Sequence, residues 1–432
     1  MKKAIALFSF LLLLSCSNDD GNKEVTPVDL LITNISPASG PKNTSVTITG
    51  TGFSKISSGN IVTINGKECS IVSNTATQIN IKVPPGAGSG KIKVVVGDAN
   101  AESANFDFVF TIEVTTLAGN GSQSFADGQG NEAKFSNPTD VSVDPFFNVF
   151  VADGNNIVRK ISPTGLVSTF AGKPNSSGAV NGQGAAASFS GVSGLTTDGV
   201  GNVYVADRNN NLIRKITPTG LVSTFVGTTA GFIDGSASFA KFSAPVTVTI
   251  DRDGNLYVVD RDNLTIRQVS PSGFVSTIVS NISGFADGQG FSAKFNIPIG
   301  ITTDASGNVY VADTFNHKIR KISPSGFVTT IAGSTSGFKD GKASEAQFSS
   351  PHDVAIDAFG NLYVSDTGNS RIRKITSDGI VSTLAGSGLQ GFADGNASTA
   401  KFDLLAGITI DSQGNLYVAD SQNNRIRKIV ID

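Results

Sequence analysis

Short apolar segments alternate with polar residues at a period of two along most of the chain. Residues 45–49 read SVTIT, and residues 91–96 read KIKVVV. Such alternation places successive side chains on opposite faces of a β-strand. Clusters of Gly and Pro separate the segments and supply turns. The pattern therefore predicts an all-β protein built from antiparallel strands and hairpins.

The second part of the chain consists of a repeated unit. Asn recurs at positions 148, 202, 255, 308, 361 and 415, at intervals of 53 or 54 residues, which gives six copies. One copy shows four predicted strands, at residues 354–357, 361–366, 371–375 and 379–386. Four strands per repeat are typical of a β-propeller blade, so we expect a propeller of six blades.

The two ends of the repeat region predict how the ring closes. The sixth copy stops at residues 426–429, without a fourth strand. Residues 114–119 read VTTLAG and match VSTLAG at 381–386, which is the fourth strand of the fifth copy. We therefore expect residues 114–119 to complete the last blade, which removes the exposed sheet edges of an open ring.

Two families resemble parts of the sequence. GNLYVADSQNNRIRKI at 414–429 and its counterparts resemble NHL repeats throughout residues 113–432. In the first part, ITNISPASGP at 32–41, VTITGTGFS at 46–54, INGKECSIVS at 64–73 and VPPG at 83–86 resemble the IPT/TIG family of immunoglobulin-like domains. These likenesses imply an immunoglobulin-like β-sandwich followed by the six-bladed propeller.

The N-terminus has the features of an export signal. Lys2 and Lys3 precede an apolar run over residues 4–14, and Leu13-Leu14-Ser15-Cys16 resembles the lipobox of bacterial lipoproteins. The resemblance implies that Cys16 is lipidated and becomes the mature N-terminus. The following Ser-Asn-Asp-Asp is similar to the tag that directs lipoproteins of the Bacteroides group to the outside of the outer membrane.

These features predict the domain organisation and location. We expect a signal peptide at residues 1–15, a lipidated Cys and flexible tether at 16–28, an IPT/TIG domain at 29–112 and the propeller at 113–432. The expected location is the outer membrane, with the protein attached by lipid and facing outside.

Charge and composition limit the classes of molecule that the protein is expected to bind. The formal net charge is -2, so the chain has no basic excess that would hold nucleic acid. It contains no Trp, and its five Tyr all occupy the same position of the second strand, which indicates a core role. The aromatic stacking surfaces expected of a glycan site are therefore scarce, which favours a protein ligand slightly over a glycan.

Residues that recur in every copy are interpreted as structural. An Asp ends each second strand and precedes an Arg on the third, which predicts an ion pair within each blade. These aspartates are Asp153, Asp207, Asp260, Asp313, Asp366 and Asp420. The Phe of the GFADG and GFKDG loops (Phe285, Phe338 and Phe392) is expected to pack between neighbouring blades.

Residues that depart from the repeat are better candidates for a site. The residues that begin the first strands are expected to form a ring around the central channel: Asp140, Gly194, Thr247, Gly300, Asp353 and Gly407. We predict a ligand site at one channel mouth formed by Asp140, Thr247, His352 and Asp353. Asp140 and Asp353 are also candidate ligands for a metal ion, with calcium as the candidate ion. The structural alternative is that the two carboxylates only accept hydrogen bonds from nearby backbone N–H groups.

Two function classes follow from these candidates. The preferred class is a non-catalytic binding or scaffolding protein that uses a propeller face to bind a protein or glycan. The alternative is a metal-dependent propeller enzyme, because six-bladed propellers include calcium-dependent lactonases and an NHL-type lyase with a His-rich metal site. The chain has only two histidines, His317 and His352, which is too few for a three-His zinc site. We therefore expect no catalytic residues and no obligatory cofactor.

Overall fold

A computed structural model describes residues 28–279 and 282–431 of the protein. The chain divides between Phe110 and Thr111 into two compact units. The predicted signal peptide, the lipidation site Cys16 and nearly all of the tether lie outside the described residues. Among the residues that are described, no helix has the length and apolar character to cross a membrane.

The first unit consists of two β-sheets. The first sheet contains, in spatial order, Leu31–Ser36, Ser45–Thr51, Gln78–Lys82 and Ser70–Asn74. The second contains Ser39–Gly40, Ala99–Phe108, Gly90–Val96, Ile61–Ile64 and Lys67–Glu68. A single 3₁₀ turn lies at Ser57–Gly59. Two sheets of alternating strands around one core form the predicted immunoglobulin-like sandwich.

The core of this unit follows from the period-two pattern. Val46 and Ile48 alternate with exposed or half-buried residues, and both are fully buried. They share one apolar cluster with Ile92 and Val94 of the other sheet. Cys69 belongs to the same cluster, and burial raises the pKa of its thiol to about 11. Cys69 is therefore a core residue without thiolate reactivity.

The second unit has six antiparallel sheets, which we number as blades 1 to 6 along the chain. From the channel outward, the strands of blade 1 are Asp140–Val143, Val149–Asp153, Ile157–Ile161 and Leu166–Ala171. Those of blade 2 are Val192–Thr197, Val203–Asp207, Leu212–Ile216 and Leu221–Val226. Those of blade 3 are Pro245–Ile250, Leu256–Asp260, Thr265–Val269 and Val275–Thr277.

Blades 4 to 6 have the same order. The strands of blade 4 are Ile301–Thr303, Val309–Asp313, Lys318–Ile322 and Phe327–Ala332. Those of blade 5 are Pro351–Ile356, Leu362–Asp366, Arg371–Ile375 and Ile380–Ala385. Those of blade 6 are Leu405–Ile410, Leu416–Asp420, Arg425–Ile431 and Ile112–Ala118. Two-residue strands lie outside the fourth strand of every blade except blade 3, at Gly128–Gln129, Gly182–Gln183, Gly288–Gln289, Gly341–Lys342 and Gly395–Asn396.

Short 3₁₀ turns connect these strands. One group precedes the first strand of a blade, at Gly130–Glu132, Gly184–Ala186 and Gly290–Ser292. The other group follows the second strand, at Arg208–Asn210, Arg261–Asn263, Thr314–Asn316 and Thr367–Asn369. The second group positions side chains at one mouth of the channel, as described below.

The ring closes as predicted. Ile112–Ala118 pairs antiparallel with Arg425–Ile431, with Val114 opposite Ile429 and Thr116 opposite Arg427. The strand begins two residues earlier and ends one residue earlier than the predicted segment 114–119. Val114 is fully buried in the core that blade 6 shares with blade 5. The predicted fold class, a sandwich followed by a six-bladed propeller closed by an N-terminal strand, is confirmed.

Candidate functional site

The recurrent Asp and Arg residues form a structural network inside each blade. Every third-strand guanidinium donates to the second-strand Asp at 2.6–3.0 Å, and both side chains are fully buried. The pairs are Asp153 with Arg159, Asp207 with Arg214, Asp260 with Arg267, Asp313 with Arg320, Asp366 with Arg373 and Asp420 with Arg427. The same guanidinium groups also donate to two backbone carbonyls, as Arg320 does to Lys294 and Ala286. The predicted ion pairs are confirmed, and these residues are committed to the fold.

The recurrent loop phenylalanines are also explained by this network. Phe285, Phe338 and Phe392 lie 4.8–4.9 Å from the guanidinium carbons of Arg320, Arg373 and Arg427. A cation–π contact of this kind covers the buried guanidinium from outside. Each ring therefore stacks on an arginine of its own blade, while packing of these rings between neighbouring blades stays a prediction.

The first strands surround the channel, and the ring at their start alternates between Gly and larger residues. A Cβ on Gly300 would lie 2.3 Å from Cα of Asp353, and one on Gly407 would lie 2.6 Å from Cα of Asp140. A real Cβ does not approach another carbon so closely, so only Gly permits this contact between adjacent blades. The glycines of blades 2, 4 and 6 therefore bring the larger ring residues of blades 3, 5 and 1 close to the channel axis.

The two ring carboxylates are held by the next blade. Oδ2 of Asp140 accepts the N–H of Leu195 at 2.8 Å, and Oδ2 of Asp353 accepts the N–H of Ile408 at 2.8 Å. Oδ1 of Asp140 accepts the N–H of Val141, whereas Oδ1 of Asp353 has no hydrogen-bond partner. These contacts join blade 1 to blade 2 and blade 5 to blade 6.

Burial shifts the pKa values of the titratable side chains at the ring. Both carboxylates are only 5% exposed. Burial, and then the charge of Asp353, raise the pKa of Asp140 well above its usual range. Burial raises the pKa of Asp353 to about 7, although nearby amides including that of Ile408 oppose the shift. Burial also lowers the pKa of His352 to about 4, so its imidazole is neutral at pH 7.

Cavities lie on both sides of this ring. A cavity of about 220 Å³ follows the channel along the first strands of all six blades. A second cavity, of about 180 Å³, lies at the end where the first strands begin, and we call it the mouth cavity. Its lining residues are Thr139, Asp140, Ser193, Arg208, Val246, Thr247, Arg261, Ile299, His352, Asp353 and Gly407. The structure therefore places all four predicted residues, Asp140, Thr247, His352 and Asp353, around one cavity.

Two arginines of the mouth cavity were not among the predicted site residues. Arg208 and Arg261 follow the Asp that ends the second strand in blades 2 and 3. The other copies carry Gly154, Thr314, Thr367 and Ser421 at that position. These arginines break the repeat just as Asp140 and Asp353 do, and this signal was available in the sequence. The prediction from the first strands did not include them, because they follow the second strands and reach the cavity only in the closed ring.

The residues at the mouth do not fit a dedicated metal site. Calcium takes six to eight oxygen ligands. Asp140 and Asp353 offer four carboxylate oxygens, of which three already accept backbone N–H groups. Over the described residues, no group of three or more His, Cys, Asp and Glu is placed to hold a metal ion. The other histidine, His317, accepts the N–H of Ser350 through Nδ1 and is held within the fold.

The fold and the repeats define a class of protein, one that combines an IPT/TIG domain with an NHL-repeat propeller. The IPT/TIG domain model matches residues 30–110, and the NHL repeat model matches residues 295–322, 348–375 and 402–429. Both resemblances seen in the sequence are thereby confirmed for these ranges.

Particular proteins share parts of the sequence. Protein SUPPRESSOR OF QUENCHING 1 of Arabidopsis thaliana is 29% identical over 286 residues, or 61% of this chain and 27% of that protein. Human NHL repeat-containing protein 2 is 35% identical over 151 residues, or 32% of this chain and 21% of that protein. The chain thus spans only about a quarter or less of the length of these relatives.

Solved structures match nearly the whole chain. A Bacteroides thetaiotaomicron protein of unknown function has a TM-score of 0.64 at 21% identity, covering 95% of this chain and 99% of that one. An auxiliary nutrient binding protein from Bacteroides ovatus has a TM-score of 0.64 at 19% identity, covering 94% and 99%. At these identities the likeness establishes the fold.

Proposed function

We propose that the chain is a non-catalytic binding protein, attached by lipid to the outside of the outer membrane, whose propeller binds a saccharide at the mouth cavity. The observation that carries this proposal is the convergence of residues that break the repeat. Asp140, Arg208, Arg261, His352 and Asp353 come from four different blades and line one cavity. Blade architecture does not require them, so their convergence favours a ligand site.

The size of the cavity supports a small ligand. Pockets for drug-sized ligands measure about 300–1,000 Å³. The mouth cavity measures about 180 Å³, which suits a single sugar unit better than a long oligosaccharide. A Bacteroides protein with the same fold is described as an auxiliary nutrient binding protein, and a saccharide nutrient is consistent with a cavity of this size.

The proposed location depends on the N-terminal sequence. The lipobox-like segment ending at Cys16 supports a lipid anchor, and the acidic residues after it support export to the outer leaflet. In this arrangement the IPT/TIG domain and the tether act as spacers between the lipid and the propeller.

A second candidate function is binding of a protein partner at the other end of the channel. The turns between the first and second strands lie at that end, and three of them expose an apolar side chain. Phe146 is 64% exposed, Val200 is 71% exposed and Phe359 is 83% exposed. Phe359 also lines a recess of about 1010 Å³ at this end, and an exposed apolar residue at a recess favours protein contact there.

A pair of matched substitutions tests the proposal. Ser193→Tyr adds bulk at the lining of the mouth cavity, whereas Ser306→Tyr adds the same bulk at an exposed turn of the opposite end. Wild-type protein and both variants, each as the full mature chain, are applied to an array of neutral and acidic saccharides and to a lysate pull-down. We expect Ser193→Tyr to lose saccharide binding and Ser306→Tyr to retain it.

The outcomes separate the candidate functions. Loss of a protein partner in Ser306→Tyr alone would support the second candidate. No saccharide binding by the wild-type chain would contradict the primary proposal. Mass spectrometry of the recovered saccharide tests whether the protein is non-catalytic. A changed saccharide mass after incubation would support the alternative of a propeller enzyme.

A further inference from the structure

Arg208 and Arg261 have an unusual environment for partly buried arginines. Each begins a 3₁₀ turn, Arg208–Asn210 in blade 2 and Arg261–Asn263 in blade 3. Burial lowers the pKa of Arg208, and the positive charge of nearby Arg261 lowers it further, while the charge of Asp262 opposes the shift. Like charges that converge at a cavity repel each other, and a negative group bound between them would relieve that repulsion.

The protein supplies only one half-exposed carboxylate to this pair of arginines, that of Asp262, whose charge also acts on Arg208. The guanidinium of Arg208 forms no salt bridge with a described residue, and its Nε is buried without a hydrogen-bond partner. Arg261 pairs only with its sequence neighbour Asp262, at 3.3 Å, and that carboxylate is half exposed. By contrast, every third-strand arginine of the blades contacts a buried Asp and backbone carbonyls.

The ring carboxylates do not neutralise the two arginines. Asp140 and Asp353 are held by the amides of Leu195 and Ile408, on blades 2 and 6. Their raised pKa values leave the pair with less than its full negative charge at pH 7. The mouth cavity therefore combines two permanent positive charges with two ring carboxylates that carry less than their full negative charge.

The remaining lining is suited to hydroxyl groups. The hydroxyls of Ser193 and Thr247 line the cavity without a hydrogen bond to any described residue, and Nδ1 of His352 also lacks a partner. Hydroxyl and imidazole groups recognise sugar hydroxyls because each exchanges donor and acceptor roles. The cavity volume of about 180 Å³ limits the ligand to a small molecule.

We propose that the mouth cavity binds a small hydroxylated oxyanion, specifically an acidic monosaccharide whose carboxylate pairs with Arg208 and Arg261. This inference rests on the proposed saccharide-binding function and adds the charge of the ligand. A planar guanidinium group donates two parallel hydrogen bonds to a carboxylate, which explains why arginine rather than lysine suits this position. A sugar phosphate presents the same oxyanion chemistry and is the other source to be distinguished.

The test compares three soluble probes by isothermal titration calorimetry with the full mature chain. The probes are galacturonate, galactose 6-phosphate and neutral galactose. We expect galacturonate to bind about tenfold or more tightly than galactose, and Arg208→Gln or Arg261→Gln to remove that advantage. Arg252→Gln is the matched control, because Arg252 is an exposed arginine of the blade 3 turn away from the mouth cavity.

Each result has a defined meaning. Stronger binding of galactose 6-phosphate than of galacturonate would support the oxyanion site and assign it to a phosphate. Equal binding of galactose and both anions, or unchanged anion binding in both arginine variants, would overturn the inference. If neutral galactose binds at least as tightly as both anions and Ser193→Tyr abolishes that binding, the proposed function stands while the acidic ligand is rejected. If no probe binds, the inference fails, and the saccharide array decides the proposed function separately.

Discussion

At the residue scale, the arginines of the propeller differ in what their guanidinium groups contact. The six third-strand arginines are fully buried and each pairs with an Asp at 3.0 Å or less. Removing one partner of such a pair would leave an uncompensated buried charge. Arg208 and Arg261 have no buried carboxylate partner among the described residues, and a ligand that supplies a carboxylate would gain the corresponding interaction.

The ring carboxylate Asp353 gives a prediction for stability against pH. Its pKa in the folded protein is about 7, compared with about 3.8 for the free group. The folded state therefore holds a proton more tightly than the unfolded state. The resulting stabilisation is fully present below about pH 3.8 and is lost as pH rises towards 7.

Asp353→Asn removes this titration while keeping the shape of the side chain. We expect the variant to gain stability relative to wild type as pH rises from 4 through 7, by on the order of 1–3 kcal/mol, and the gain to level off at about pH 8. Urea unfolding at several pH values measures the difference. Asp253→Asn, at an exposed carboxylate of the blade 3 turn, is the control. A difference that does not change between pH 4 and 7 would contradict the prediction.

At the element scale, the strand Ile112–Ala118 holds the ring together. It forms the fourth strand of blade 6, although it lies more than 300 positions before its partner Arg425–Ile431. Without it, the edge of Arg425–Ile431 would present unpaired N–H and C=O groups to solvent. Val114 anchors this strand because it is fully buried among Leu416, Val418 and Ile429.

Val114→Asp tests the importance of the closing strand. A charge without a partner at this buried position should cost about 3–5 kcal/mol and release the strand from blade 6. Hydrogen–deuterium exchange should then rise in Arg425–Ile431 but much less in Arg371–Ile375, the corresponding strand of blade 5. Glu113→Asp changes an exposed residue of the same strand and serves as control. Equal exchange rates in the two strands would show that closure does not depend on this contact.

At the scale of the whole molecule, the mouth cavity exists only because six blades close into a ring. Its charged residues lie on blades 1, 2, 3 and 5, so no single blade contains the site. The proposed lipid anchor at Cys16 would present this site to solutes outside the cell.

The anchor is tested with the two cysteines of the chain. We expect Cys16→Ser to abolish incorporation of labelled fatty acid and to move the protein from the membrane fraction to the soluble fraction. Cys69→Ser should leave both unchanged, because Cys69 is a buried core residue of the IPT/TIG domain. Proteolysis of intact cells reports the side of the membrane, and protection of the wild-type protein would contradict the outward orientation.

The sequence by itself determined the fold to a large extent. Each blade is a local series of hairpins, so a repeat of 53 or 54 residues reveals the blade count, the four strands and the ion pairs within each blade. The match between VTTLAG and VSTLAG identified the closing strand, because a missing element and its substitute can be compared directly.

Only the tertiary structure decided which departures from the repeat share a cavity. Arg208 and His352 are 144 positions apart, and their common location depends on the rotation between blades, which the sequence pattern does not encode. The pKa shifts of Asp140 and Asp353 were also decided there, because the burial of both carboxyl groups and the effect of the Asp353 charge on Asp140 arise only once the ring has closed. Local repeats thus fix the elements, whereas the environment of each side chain comes from contacts between blades distant in sequence.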